Sequence, residues 1–397
     1  MSERLLPVLL SLVEQHFQAF SKPLRVNLAA LTVAFLSVLA GIRSGYGGLS
    51  LSALARALPT AGLPHSRENR LLRFLANPRI DFRAMTTSLV SLMLTNRTGI
   101  CPILFDQTKV GNAQALLAAA PYAGRALPLS VYTFEYPLRE PALKSQNQLE
   151  HLFILDVETS LPPGLKAVWI ADRGYARASL LAQSQLEERW YIIRGRGNTI
   201  ISHQSRRLKL KELKPKKAVA LRYENVRYQM KQQVLLDVVV YWESTFSEPW
   251  YLLTPVEMRS AFSEKQVVDL YRERMQVEQS FRDFKTHLGL RGLKLQTAVA
   301  ARMGRLILAF CLAYILCVLL GEGPLGEEAR LAFEIPRRIP RHGTTRTLSA
   351  LCLSMLMLSH PTWTARSLHH LLQIIQQAIH QKPWLPTSVL LRTPRPP

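Results

Sequence analysis

Three carboxylates fall at positions that a fold would hold rigidly. "PILFDQT" carries Asp106 at the end of an apolar, strand-like run, and "KAVWIADRGY" carries Asp172 at the end of another. The third, Glu278, lies in "YRERMQVEQSFRDFK", whose spacing predicts a helix. Each has an ordinary reading. Asp closes turns and caps helices, and Arg274 with Glu278 makes an i,i+4 pair worth a few tenths of a kcal/mol. At about 100° per residue, however, Tyr271, Arg274, Glu278 and Lys285 share one helical stripe about 60° wide. Such a stripe is either a solvated charged face or a phosphate site, with the carboxylate on a metal and the other three on backbone phosphates. Three acids meeting at one sheet edge repel one another unless divalent cations neutralise them. Hard oxygen donors without His or Cys favour Mg²⁺ or Mn²⁺. Two such ions, about 4 Å apart, can activate water or a 3′-hydroxyl and stabilise the leaving oxygen in phosphodiester displacement. No His-Glu-x-x-His, Gly-x-x-x-x-Gly-Lys or Gly-x-Ser-x-Gly occurs, so a zinc hydrolase, a P-loop enzyme and an α/β-hydrolase are unsupported.

The charge points the same way. The 397 residues include 50 Lys and Arg against 28 Asp and Glu, a net charge of +22, with 48% hydrophobic residues. That is a globular chain with a polyanionic partner, nucleic acid ahead of an anionic membrane surface. Cys101, Cys311, Cys317 and Cys352 show no Cys-x-x-Cys spacing, which predicts neither a disulfide framework nor a zinc site and fits a reducing cytoplasm. The first twenty residues carry Glu3, Glu14 and His16 within a helical pattern, unlike a cleavable signal. "LILAFCLAYILCVLL", residues 306–320, is shorter than the roughly 20 residues a membrane span needs and reads as a buried helix. No membrane partner is expected.

The elements that must position these residues divide the chain in three. Residues 1–97 read as a helical, DNA-binding domain. In it "LSLSALARALP" and "SRENRLLRFLANP" are either a helix-turn-helix or two ordinary packed helices. Arg67, Arg70, Arg73 and Arg79 on or near the second helix suit phosphate contact, not base readout. Residues 98–294 alternate strand and helix patterns, an α/β core with mixed sheet order, interrupted by a very basic, β-rich insertion at 198–246. A long helix opened by a Ser263 cap is expected to run to about His287. Residues 295–397 read as a C-terminal helical region with a basic linker "PRRIPRHGTTR" and a proline-rich tail. There "LHHLLQIIQQAIHQ" is a packing or dimer helix.

At this point the chain resembles a known family. Tyr271, Arg274, Glu278 and Lys285 reproduce, without a gap, the Y-R-E-K signature of bacterial DDE transposases of the insertion-sequence-4 group. "FDQT" and "IADRGY" resemble that group's first and second catalytic aspartate segments, and "RENRLLRFLANPR" resembles its N-terminal region. The resemblance implies a ribonuclease-H-like core carrying Asp106, Asp172 and Glu278 as catalytic ligands of two Mg²⁺ or Mn²⁺ ions, with a β-strand insertion between the second and third acids. It implies DNA contacts from Tyr271, Arg274 and Lys285, and base stacking by Trp250, which would otherwise read as a core aromatic. Arg173, beside Asp172, is added by adjacency alone and is equally an ordinary surface arginine. The partners implied are double-stranded transposon ends and target DNA, bound by a homodimer, in the cytoplasm at the nucleoid. The implied reaction is cut-and-paste transposition through a hairpin intermediate. A nuclease of the same fold without strand transfer, or a non-catalytic DNA-binding relic, are the alternatives. Many relatives have a second acid or a threonine directly after the first Asp, where this chain has Gln107.

Overall fold

The computed structural model describes the chain apart from residues 1, 44–47, 139–144, 230–233, 244, 291–292, 294, 296–298, 336–347, 381 and 392–397. The basic linker and the last six residues of the proline-rich tail anticipated from the sequence lie outside the described residues. Five helices come first: α1 (Ser2–His16), α2 (Lys22–Arg43), α3 (Leu51–Ala57), α4 (Pro64–Ala76) and α5 (Phe82–Leu94). Ser50 and Asp81 cap α3 and α5 by accepting from backbone N–H groups of the first turn. The sheet region begins with β1 (Gly99–Val110), β2 (Ala113–Tyr122), β3 (Arg125–Phe134), α6 (Gln146–Ser160), β4 (Leu165–Ala171), α7 (Ala178–Leu186) and β5 (Trp190–Arg194). Then come β6 (Ile200–His203), β7 (Arg206–Lys209), β8 (Leu221–Tyr228), β9 (Val234–Tyr241) and β10 (Trp250–Thr254). The remaining helices are α8 (Glu264–Arg272), α9 (Met275–Arg282), α10 (Ala300–Glu322), α11 (Pro324–Phe333), α12 (Ala350–Ser359) and α13 (Pro361–Ile379).

All ten strands form one sheet, in the order β3-β2-β1-β4-β5-β10-β9-β8-β6-β7. β1, β2 and β3 are an antiparallel meander, while β1, β4 and β5 run parallel. The basic stretch 198–246 contributes β6, β7, β8 and β9, and it continues the same sheet, because β9 pairs antiparallel with β10 along its length. β2, "AQALLAAAPY", escaped the sequence reading. Alanine carries little strand preference, and the segment is a strand because it is buried between β1 and β3.

The helices at the two ends of the chain are not separate layers. α1 and α2 pack on α13 and α12, and both groups pack on α10. Buried residues from all of them join the sheet's core in one continuous cluster. α10 and α2 are long and apolar enough to cross a membrane, yet the apolar window of α10 is wholly buried inside the protein and that of α2 67% buried. The apolar face of α13, with Leu368, Leu371 and Ile375, is likewise covered from within the chain. The "LHHLLQIIQQAIHQ" segment therefore acts here as a packing helix.

Candidate functional site

The sheet register places the first two acids. The parallel ladder between β1 and β4 ends at Phe105↔Ala171, and that between β4 and β5 ends at Ala171↔Ile193. One step past these pairs stand Asp106, Asp172 and Arg194, side by side at one edge. The sequence places Asp106 at the end of its strand, and the structure corrects this. β1 runs on to Val110, paired with β2, so Asp106 is held within a strand. Alternation sends neighbours to opposite faces. Phe105 stacks on Phe153 of α6, with ring centroids 5.6 Å apart, whereas Asp106 Oδ2 lies 3.9 Å from Arg274 Nη1 on the other side. Gln107 consequently points back to α6. It accepts a hydrogen bond from Gln146 Nε2 at 2.7 Å and donates one to Gln114 Oε1 at 3.2 Å. Gln107 thus faces away from Asp106, Asp172 and Glu278.

Asp172 closes β4 and caps the turn 173–175, its Oδ1 accepting from the Gly174 N–H at 2.6 Å. The ordinary reading of this aspartate and the functional one coexist. Glycine at 174 is what permits the approach, because a Cβ there would lie 2.9 Å from Asp172 Oδ1.

The expected long helix is broken around Glu278. α8 begins with a capping box between Ser263 and Gln266 and ends at Arg272. The next bonds are of the tight i→i+3 kind: Arg274 N–H to the Tyr271 carbonyl (3.1 Å), Gln276 to Glu273 (2.9 Å) and Val277 to Arg274 (3.0 Å). After α9 the backbone loosens into a π turn, Asp283–His287, where the Leu288 N–H donates to the Asp283 carbonyl at 2.8 Å. Glu278 sits between an overwound and an underwound segment, and such irregularities cluster at functional sites. Arg274 Nη2 donates to Glu278 Oε1 at 2.6 Å, so one guanidinium lies between Asp106 and Glu278. Tyr271, 3% exposed, receives the edge of this site: Arg274 Cζ lies 5.9 Å over its ring, and its phenol is held above its ordinary pKa by burial. Lys285 falls in the π turn, its ammonium 5.7 Å over the Phe281 ring.

Burial and, more weakly, the neighbouring charges of Asp172 and Glu278 push the Asp106 carboxyl up to about 6, against the opposing pull of the Gln107 N–H and Arg274. Among the described residues, no three His, Cys, Asp or Glu side chains are grouped closely enough to hold a metal ion.

Trp250 opens β10 and packs edge-on against Tyr271, with centroids 4.9 Å apart at 73°. One of its faces is stacked by Phe246, at 4.5 Å and 15°. Arg173 turns toward Glu248 (3.0 Å), which Arg194 also holds (2.7 Å).

Several polar residues that support the site carry no motif. Ser280 Oγ accepts from the Ala126 N–H of β3 at 2.8 Å and from the Tyr314 hydroxyl of α10 at 3.1 Å. Asp283 accepts from Arg125 Nε at 2.5 Å and from the same Tyr314 hydroxyl at 3.4 Å. On the far face of the sheet, fully buried Glu150 pairs with Arg177, the last residue of "ADRGYAR". Arg194 had the only usable signal: a basic residue closing the strand that follows "IADRGY".

Residues 148–316, less than half of the chain, match the family model of the transposase DDE domain. The matched span includes Asp172, Trp250, Tyr271, Arg274, Glu278 and Lys285, and begins after Asp106. No curated protein matches the chain. The match supports an insertion-sequence DDE transposase, with DNA as its partner and divalent metal ions as its usual cofactors.

Proposed function

We propose that this chain is a cut-and-paste DNA transposase of the insertion-sequence-4 group, with Asp106, Asp172 and Glu278 as its catalytic triad. One observation carries the reading: the sheet register sets Asp106 and Asp172 side by side, and the Arg274 guanidinium reaches both Asp106 and Glu278. The strand order β3-β2-β1-β4-β5, antiparallel then parallel, supports a ribonuclease-H-like core, with β6–β9 as the inserted strands.

The donor chemistry suits two Mg²⁺ or Mn²⁺ ions. All three ligands are carboxylates, and burial, with the nearby charges of Asp172 and Glu278, raises the Asp106 carboxyl to about 6. Asp106, Asp172 and Glu278 would hold the ions, whose chemistry is to acidify the attacking hydroxyl and stabilise the leaving oxygen. Loading requires Arg274 to give up a carboxylate. Arg274 Nε, buried and without a partner, is already a spare donor for a phosphate oxygen. Tyr271 and Lys285 flank the same helix and would take neighbouring phosphates. Trp250 would stack on a splayed base, worth roughly 1–3 kcal/mol.

The sequence of reactions is hydrolysis at each element end, attack of the freed 3′-hydroxyl on the opposite strand to close a hairpin, hydrolytic reopening, and joining to target DNA. Two subunits would pair the two ends, in the cytoplasm at the nucleoid, and the basic α4 region would contact end phosphates. The test compares wild type with Glu278→Ala on supercoiled DNA carrying the element's own ends, with Mg²⁺ and with EDTA. Mg²⁺-dependent cleavage and joining that the variant loses while still binding ends is expected. Equal cleavage by both proteins would sink the assignment, and cleavage without joining would make the chain a nuclease.

A further inference from the structure

The turn between β9 and β10 places two unlike side chains against the site. Phe246 lies parallel to the Trp250 ring, with centroids 4.5 Å apart and planes 15° off, the arrangement of one base stacked on another. Two residues on, the Glu248 carboxylate reaches both Arg173 Nη1 (3.0 Å) and Arg194 Nη2 (2.7 Å). Arg194 stands next to Asp172 in the sheet register, and its side chain is only 17% exposed. A planar hydrophobe on a tryptophan, with an anion shared by two guanidinium groups close by, is the chemical outline of a nucleotide.

Resting on the reading of this site as DNA-processing, we propose that Arg173, Arg194 and Trp250 form a nucleotide seat that the chain fills itself. Glu248 stands in for a phosphodiester and Phe246 for a base. Arg194 is then a DNA-binding residue, and Glu248 a competitor of DNA. A phosphodiester offers the two arginines the same single negative charge as the carboxylate and two oxygens to bond. The plug is built to yield. Glu248 and Arg173 are each about half exposed (49% and 52%), and ion pairs that open to solvent are weak and screened by salt. A DNA strand that presents both a base and a phosphate replaces both contacts at once, whereas a free anion replaces only one.

The experiment is fluorescence anisotropy with a labelled duplex carrying the DNA that flanks this chain's own gene, in EDTA so that no cleavage intervenes. Glu248→Gln keeps the shape of the side chain and removes its charge. It should bind the duplex about three- to tenfold more tightly at low salt, the gain shrinking as salt is raised. Arg194→Gln added to that variant should abolish the gain. Phe246→Ala should deepen the fluorescence quenching of 2-aminopurine placed at the base nearest the cleavage position, because the freed Trp250 face then takes that base. Thermal melting of each variant verifies folding. Unchanged or weaker binding by Glu248→Gln, while wild type still binds and cuts, overturns the seat and leaves the transposase reading standing. Failure of every protein to bind the duplex overturns both.

Discussion

Replacing Asp106 by Asn should make the metal-free protein more stable. The carboxyl is mostly buried, and its pKa rises from 3.8 to about 6. At about 1.4 kcal/mol per unit, the folded state loses up to about 3 kcal/mol by ionising this group. An acid whose pKa is raised on folding costs nothing below its unfolded value. Its penalty grows as pH rises and is complete once pH exceeds the folded value. The gain from Asp106→Asn is therefore absent below pH 3.8, roughly half developed at pH 5 and full by pH 8. Asparagine keeps the hydrogen bond accepted from the Gln107 N–H, so the change isolates the charge. Denaturant melts of both proteins at pH 5 and pH 8 in EDTA measure the difference. Millimolar Mg²⁺ should then stabilise wild type and not the variant, closing or reversing the gap at pH 8. A variant no more stable than wild type at pH 8 without metal would refute the reasoning, because the acids would then already be balanced by the protein.

Other expectations follow from close contacts. Since Asp106 must give up its proton to bind metal, Mg²⁺ affinity in calorimetric titration should fall about tenfold per unit as pH drops below 6. Gly174→Ala puts a Cβ 2.9 Å from Asp172 Oδ1. The carboxylate can swing away, so cleavage should drop while stability changes by about 0.5 kcal/mol or less. Gly321→Ala meets the Ala350 carbonyl at 2.0 Å, where only backbone can give way, and should cost about 2 kcal/mol or more in denaturant melts. Tyr314→Phe removes the hydroxyl shared by Ser280 and Asp283 and should cost about 1–3 kcal/mol and slow cleavage, with affinity for DNA ends kept.

The parts of the fold that speak in the sequence are those with their own periodicity. The N-terminal helices, β1, β4, β5 and the Ser263 cap were all legible, as was the Arg274–Glu278 contact, because an i,i+4 pair is local. β2 was silent because alanines become a strand only when neighbours bury them. The single ten-strand sheet was hidden for a related reason: the pairing of β9 with β10 is a long-range choice, and the insertion's composition reads the same whether it joins the core or stands apart. The helix break before Glu278 has no proline or glycine to mark it. Glu248 and Ser280 are common residue types on a turn and a helix, and only the fold brings them to the site.

α10 has a consequence for how the protein is made. Its Arg305 donates to the carbonyl of Leu75 in the last turn of α4 (2.8 Å) and to that of Ile80 in the link to α5 (3.0 Å), and its Tyr314 reaches Ser280 and Asp283 behind Glu278. Every strand of the sheet and all three acids are synthesised before α10 begins. Until it emerges, the helix bearing Glu278 lacks its backing and the N-terminal helices lack their shared core. At about 5–20 residues per second, that leaves a nascent chain several seconds in which all three carboxylates exist without the helix that backs Glu278. A product ended by a stop codon before residue 300 would carry all three carboxylates and lack the helix that backs Glu278.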